Sequence, residues 1–208
     1  MRGRLITIEG LDGAGKSTLA SALRDELARE RPVTLLREPG GVALSERIRT
    51  LVMDPELRCG PRAEALLYAA ARAQLVDEQL EPLLAGGTWV LLDRFVDSSL
   101  AYQGAGRGLG VQRIVELNDF ATGGLRPDRT LLLRVEPATG RARLAGRDEA
   151  PDRLEREAQA FFETIARAYD ELAARDQQRV RVLDASVSPD AVLAQAVAAL
   201  ADLDCESS

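Results

Sequence analysis

The chain has no histidine and only one lysine. The first absence excludes phosphohistidine intermediates, histidine-assisted serine or cysteine nucleophiles, and histidine-ligated metals. The second makes arginine the resident cation, because of 27 basic residues Lys16 alone is not arginine. Two cysteines, Cys59 and Cys205, are too few for a disulfide framework. No apolar run reaches membrane length, and the N-terminal apolar stretch stops at Glu9. A reducing cytoplasm, no secretory leader and no membrane partner are therefore expected. A basic excess is missing too. With a net charge of −6 the surface as a whole does not suit nucleic acid, so local arginines must hold any anionic ligand. What is present, 208 residues at 46% hydrophobic and 29% charged, suffices for one α/β domain with a full core.

The solitary lysine sits in Gly10-Leu11-Asp12-Gly13-Ala14-Gly15-Lys16-Ser17, which fits G-x-x-x-x-G-K-[ST]. A compact ammonium on a thin stem can lie against β- and γ-phosphates in a tight loop, where a planar guanidinium is too wide. Before the loop runs Leu5-Ile6-Thr7-Ile8, a buried-strand pattern. After it Leu19, Leu23 and Leu27 recur every fourth residue among charges, an amphipathic helix. Strand, glycine loop and helix predict a phosphate cradle at a helix N-terminus. Backbone N–H groups from Gly13 to Ser17 hold the phosphates, Lys16 bridges them, Ser17 ligates Mg²⁺, and Thr18 adds a donor.

Apolar strand patterns near 4–9, 32–37, 88–93, 129–135 and 179–183 alternate with helical patterns near 16–30, 42–53, 62–85, 111–122, 152–175 and 188–203. Such alternation predicts a five-stranded parallel sheet with helices on both faces. The stretch 137–152 breaks the periodicity and gathers Arg141, Arg143 and Arg147, with Arg153 just beyond, around Gly146 and Pro151. Two readings stay open for it, a solvated charged loop or a lid that closes over phosphates.

Asp93 ends the third strand pattern and is a candidate water-mediated Mg²⁺ anchor opposite Ser17. It opens the run Asp93-Arg94-Phe95-Val96-Asp97-Ser98-Ser99-Leu100-Ala101-Tyr102-Gln103-Gly104. Together with Arg37-Glu38-Pro39-Gly40-Gly41, Asp152-Arg153-Leu154-Glu155 and Phe161-Phe162, this resembles the thymidylate kinase (dTMP kinase) family over nearly the whole chain. Position 68 is Tyr where the family usually has Phe. Asp12 stands where close bacterial relatives often have Glu, and Gly13 where one branch has an arginine. The branch without that arginine supplies the charge from its lid, as the arginines of 137–152 would.

The resemblance implies the P-loop NTPase fold, a single nucleoside monophosphate kinase domain over 1–208 with a small lid at 137–152, and a homodimer packed through helices. It implies transfer from ATP to dTMP with Mg²⁺, by direct in-line displacement. Its ATP-binding set is Gly10, Leu11, Asp12, Gly13, Ala14, Gly15, Lys16, Ser17 and Thr18, with Arg141 and Arg143. Lys16, Asp12, Arg94, Arg147 and Arg153 are its catalytic set. Arg94 and Arg49 would clamp the dTMP phosphate, Asp12 and Glu38 lie near the acceptor hydroxyl and phosphate, and Tyr68 covers the thymine. Arg72 would meet the C4 carbonyl, Ser99 and Gln103 the N3 edge, and Tyr102 the 2′ side of the sugar. From the residues alone, Arg49 reads equally as an exposed helix arginine, Tyr68 as a buried aromatic and Ser99 as a helix cap. A GTP switch and a partition-type ATPase each need a second lysine, which is absent. A kinase for another nucleotide differs only in its base pocket.

Overall fold

Leu5, Ile6, Thr7 and Ile8 are all fully buried, although successive residues of a strand point to opposite faces. A strand apolar on both sides belongs inside a sheet covered on both faces. The computed structural model describes residues 1–146 and 152–205, with only the backbone of 204 and 205. It places this strand, β1 (Leu5–Gly10), at the centre of a five-stranded parallel sheet. The others are β2 (Val33–Arg37), β3 (Trp89–Asp93), β4 (Arg129–Arg134) and β5 (Val180–Asp184), in the order β2-β3-β1-β4-β5.

One face of the sheet, with Ile6, Ile8, Leu91 and Leu131, packs against α1 (Lys16–Leu27) and α9 (Pro189–Cys205) through Leu19, Leu23, Val192, Ala196 and Leu200. The other has two patches. Leu5, Val90 and Leu92 meet Leu75, Leu80 and Leu84 from a long helical stretch. Leu132 and Val180 meet Ile165 and Tyr169 of α8 (Gln159–Arg175). The long stretch is α3 (Pro61–Leu75), a widened π turn at 76–80, and α4 (Glu81–Ala85), so Pro82 falls in the first turn of a new segment. The chain crosses from β1 to both sides of the sheet, and its switch point is the crevice at the C-terminal ends of β1, β3 and β4. Ile8 pairs with Asp93, which sets the phosphate loop beside the end of β3.

Three expectations are corrected. The run after β3 is helical, as α5 (Val96–Ser99) and a π turn at 100–106, because its polar side chains face inward to buried partners. Residues Pro137–Ala145 form α7, opened by a proline at its first turn, in a stretch where no helical period was read and a charged loop or a lid stayed open. Residues 147–151, with Arg147, lie outside the described residues. The helix read from 152 begins at Gln159. Asp152 Oδ1 accepts the N–H groups of Leu154 and Glu155 at 2.8 and 2.9 Å, a turn that competes with helix.

Candidate active site

The phosphate loop is formed by close backbone contact. Gly13 has φ +78°, and a Cβ there would lie 2.1 Å from the carbonyl oxygen of Gly140 in α7, so no side chain fits. α1 starts at Lys16 with no side-chain cap, leaving its first N–H groups free to meet an anion. Lys16 Nζ donates into the loop, to Leu11 O at 2.9 Å and Gly10 O at 3.3 Å, with Asp12 Oδ1 at 3.8 Å. Burial, and then the charge of Arg94, bring this ammonium down to about 8. Strand, loop and helix together have the P-loop NTPase arrangement.

Ser17 Oγ donates to Asp93 Oδ2 at 3.1 Å, and Asp93 Oδ1 is buried with no hydrogen-bond partner. A hydroxyl beside a carboxylate with an unused oxygen is a hard-oxygen donor set that fits Mg²⁺. Among the described residues no cluster of three or more acidic or thiol side chains could hold a metal by itself. A cation here would keep waters or phosphate oxygens as ligands, as Mg²⁺ commonly does.

Arg94 follows at the end of β3. It is the sole non-glycine with positive φ (+70°) among the described residues, a conformation costing roughly 1–3 kcal/mol. The surroundings hold it there. Its N–H donates to Ile8 O at 3.0 Å, Nη1 to Gly10 O at 3.2 Å and Ser98 Oγ at 3.1 Å. Nη2 donates to Asp12 Oδ1 and to Tyr102 OH at 3.3 Å. Behind this, buried Glu9 accepts from Phe95 N, Ser98 Oγ and Tyr169 OH at 2.7, 2.5 and 2.9 Å. Tyr102 OH donates to Asp12 Oδ2 at 3.0 Å. Burial alone would raise the Asp12 carboxyl, but Arg94, then Lys16, hold it down at about 2. Asp12 is therefore an anchored anion at neutral pH.

Across the cavity, Arg49 Nη1 donates to Pro39 O at 3.1 Å, after the cis Glu38–Pro39 bond. Arg72, 1% exposed, has an acceptor for each of its five N–H groups. Nε and Nη2 reach Glu38 Oε2 at 2.8 and 2.5 Å, and Nη2 also reaches Phe95 O at 3.0 Å. Nη1 donates to Ser99 Oγ at 2.9 Å and to Asn118 Oδ1. Ser99 therefore accepts from Arg72 inside a helix and caps nothing. Gln103 Nε2 donates to Glu64 Oε1 at 2.9 Å.

These side chains enclose one cavity of about 690 Å³. Lys16, Ser17, Thr18 and Asp93 line it together with Tyr68, Arg72, Ser99 and Gln103. Asp12, Arg94, Tyr102, Glu38 and Arg49 line it as well. Of the loop, Gly13 and Gly15 also face the cavity, whereas Gly10, Leu11 and Ala14 lie behind it. Arg143 lines the wall and donates to Ala185 O at 3.1 Å. Arg141 stands off it, its guanidinium 5.9 Å over the Phe162 ring. Arg153 points away as well, donating from Nε to Val52 O at 2.8 Å and pairing Nη1 with Glu64 Oε2 at 2.7 Å. Sequence reading missed Glu64, Asn118 and Ser98. Glu64 had a usable signal, since it precedes Tyr68 and Arg72 by four and eight residues on the same helix stripe. Asn118 had none beyond being polar on an apolar face of α6 (Val111–Thr122).

The thymidylate kinase family model matches residues 8–196. A thymidylate kinase of Alkalilimnicola ehrlichii is 50% identical over 202 residues, 96% of this chain and 93% of its own length. One from Lactobacillus delbrueckii subsp. bulgaricus is 47% identical, covering 95% of each chain. One from Deinococcus radiodurans is 45% identical, covering 97% of this chain and 98% of its own.

Proposed function

The chain belongs to the thymidylate kinase family and phosphorylates dTMP to dTDP, and from that premise we propose how its residues divide the work. ATP is the co-substrate, with its terminal phosphates over the phosphate loop, against the N-terminus of α1 and Lys16. The dTMP phosphate lies between Arg94 and Arg49; Arg49 can offer it a fork, whereas the terminal N–H groups of Arg94 already have acceptors and would be shared with it. The single observation that carries this reading is that the phosphate-loop residues and the residues assigned to dTMP line one cavity, and that Arg94, held in a strained conformation, lines it too. Mg²⁺ would be held by Ser17 and, through water, by Asp93, and would neutralise charge on the donor phosphates. The unused Asp93 Oδ1 supports that placement.

No strong base is required, because the acceptor phosphate is ionised at neutral pH. Asp12 tethers Arg94 and Tyr102 rather than taking a proton. Tyr68 offers a ring to the base, and Tyr102 crowds the 2′ position. All five N–H groups of Arg72 are already held, so any it gives to a C4 carbonyl is shared. Arg143 is the donor-side arginine that the cavity wall supports. The segment 137–152 serves as the lid of a single domain. Two molecules pair through α2 (Ala43–Met53), α3 and α6, where Phe120 is 90% exposed and Leu66 59%. Sedimentation should give a dimer, and Phe120→Glu a monomer. A wild-type monomer at micromolar concentration would overturn the pairing.

Turnover is measured with dTMP, dUMP, dCMP, the ribose form of TMP, and AMP. Highest kcat/KM is expected for dTMP, with dUMP detectable, since one methyl group is worth ~1–3 kcal/mol of discrimination. Preference for dCMP or AMP would overturn the reading of the base pocket.

A further inference from the structure

Glu64 is fully buried on α3, behind the cavity wall rather than in it. Its carboxylate accepts three N–H hydrogen bonds and makes one further ion pair. Oε1 accepts from Gln103 Nε2 at 2.9 Å and Arg107 Nε at 3.2 Å. Oε2 accepts from Arg107 Nη2 at 3.1 Å and pairs with Arg153 Nη1 at 2.7 Å. Two of the three residues against it are arginines, which cannot accept. Arg107 is itself fixed, by Glu157 Oε1 at 2.5 Å from Nη1 and by the Phe161 ring 4.7 Å beneath it.

Gln103 is different, because an amide has a donor end and an acceptor end and can turn over. Facing a carboxylate that only accepts, it must present Nε2 to Glu64. That leaves Oε1 as the free end of a side chain that lines the cavity. We propose that Glu64 is a positioning residue that sets pyrimidine choice, by holding the Gln103 amide so that the pocket offers the base a hydrogen-bond acceptor. The proposal rests on the reading above, in which Gln103 meets the N3 edge. Thymine and uracil carry a donor at N3, whereas cytosine carries a lone pair there and would face Oε1 with no proton between. Arg72 does not make this choice, since its N–H groups are already committed.

The test is Glu64→Gln. Arg107 and Arg153 can only donate, so the new amide nitrogen is best turned to Gln103. Gln103 then turns over and presents Nε2 to the cavity. Wild type and E64Q are assayed with dTMP, dUMP and dCMP at saturating ATP. In E64Q the KM for dTMP should rise about tenfold or more with kcat within about threefold, because buried donors then face a donor. The dCMP-to-dTMP ratio of kcat/KM should rise on the order of a hundredfold, with dUMP following dTMP. A folded E64Q whose activity falls equally on all three, leaving the ratio unchanged, would overturn the proposal and leave Glu64 a purely structural group. Should E64Q not fold, Gln103→Met decides. It removes the acceptor while Glu64 keeps both arginines, and should narrow the dTMP preference about tenfold without reversing it. A wild-type ratio in Q103M overturns the proposal. Failure of the function reading shows separately, as a wild type that does not prefer dTMP at all.

Discussion

Lys16 carries its charge at a cost to the fold. Burial is the largest influence on it and Arg94 the second, and they bring its ammonium from 10.5 to about 8. Between those values the unfolded chain binds more protons than the folded one, so stability rises with pH there. At pH 7 the whole penalty, on the order of 3 kcal/mol, is in force. A phosphate against Nζ would offset that cost with an opposite charge. Lys16→Ala should therefore separate the two roles. Transfer should fall by ~10²–10³ or more, as when a donor to developing charge is lost. The melting temperature at pH 7 should hold or rise, because the penalty leaves with the ammonium. Kinetics beside calorimetry check it, and near wild-type turnover would remove this loop from the mechanism. Arg94 tells the same story in its backbone: φ of +70° persists because Ile8, Gly10, Ser98 and Asp12 over-determine it.

Among the elements, α7 is packed against the phosphate loop by two glycines. Gly140 lies in the helix, and a Cβ there would come 2.8 Å from the carbonyl oxygen of Asp12. Alanine is the better helix former by about 1 kcal/mol, but a backbone oxygen cannot rotate out of the way. Contact should win over propensity. Gly140→Ala should push α7 off the loop, raising the KM for ATP roughly tenfold while the melting temperature barely moves, since the helix itself gains. An unchanged KM would show that the two elements are not coupled. The five strands were legible in the sequence because each is a short run rich in β-branched or leucine residues, doubly apolar at the centre of the sheet, and the loop because its glycines and lysine have few alternatives. α7 was not, since Arg141, Arg143 and Gly140 blur its apolar period, and its packing surface is backbone rather than side chain. The helix after β3 was hidden for a related reason. Asp97, Ser98, Ser99 and Gln103 are polar yet buried, each satisfied by a partner far along the chain. Arg94 and Tyr102 were readable from their motif and Arg49 from the family resemblance, whereas Glu64, bonded to Gln103, and Asn118, bonded to Arg72, left no motif of their own.

For the whole molecule, opposing carboxyl shifts place the stability optimum on the mildly acidic side. Asp12 is held near 2 by Arg94 and Lys16 against its own burial, and Arg179 lowers Asp176 against burial likewise. Groups with lowered values contribute stability above their ordinary range, and lose it as pH falls through the folded value. Glu9 runs the other way. Burial first, and Asp97 second, push it up from 4.5 to about 7. Between those values the folded chain holds a proton that the unfolded chain has released, so stability falls as pH rises. Above about 7 the full cost of a buried carboxylate is present, in the shell that supports Ser98 and Arg94. The melting temperature should therefore be highest near 4.5, fall as pH rises to about 7, and level off above it. Glu9→Gln isolates the cause. Its carbonyl can still accept from Phe95 N, and its amide can donate to the hydroxyls of Ser98 or Tyr169, which accept as readily as they donate. The variant has nothing to titrate, so it should melt above wild type at pH 8 and lose that advantage by pH 5. Calorimetry of both proteins across this range measures the gap. A gap that stays constant with pH would mean that the substitution acts by packing, and that Glu9 is not the group that turns the profile over.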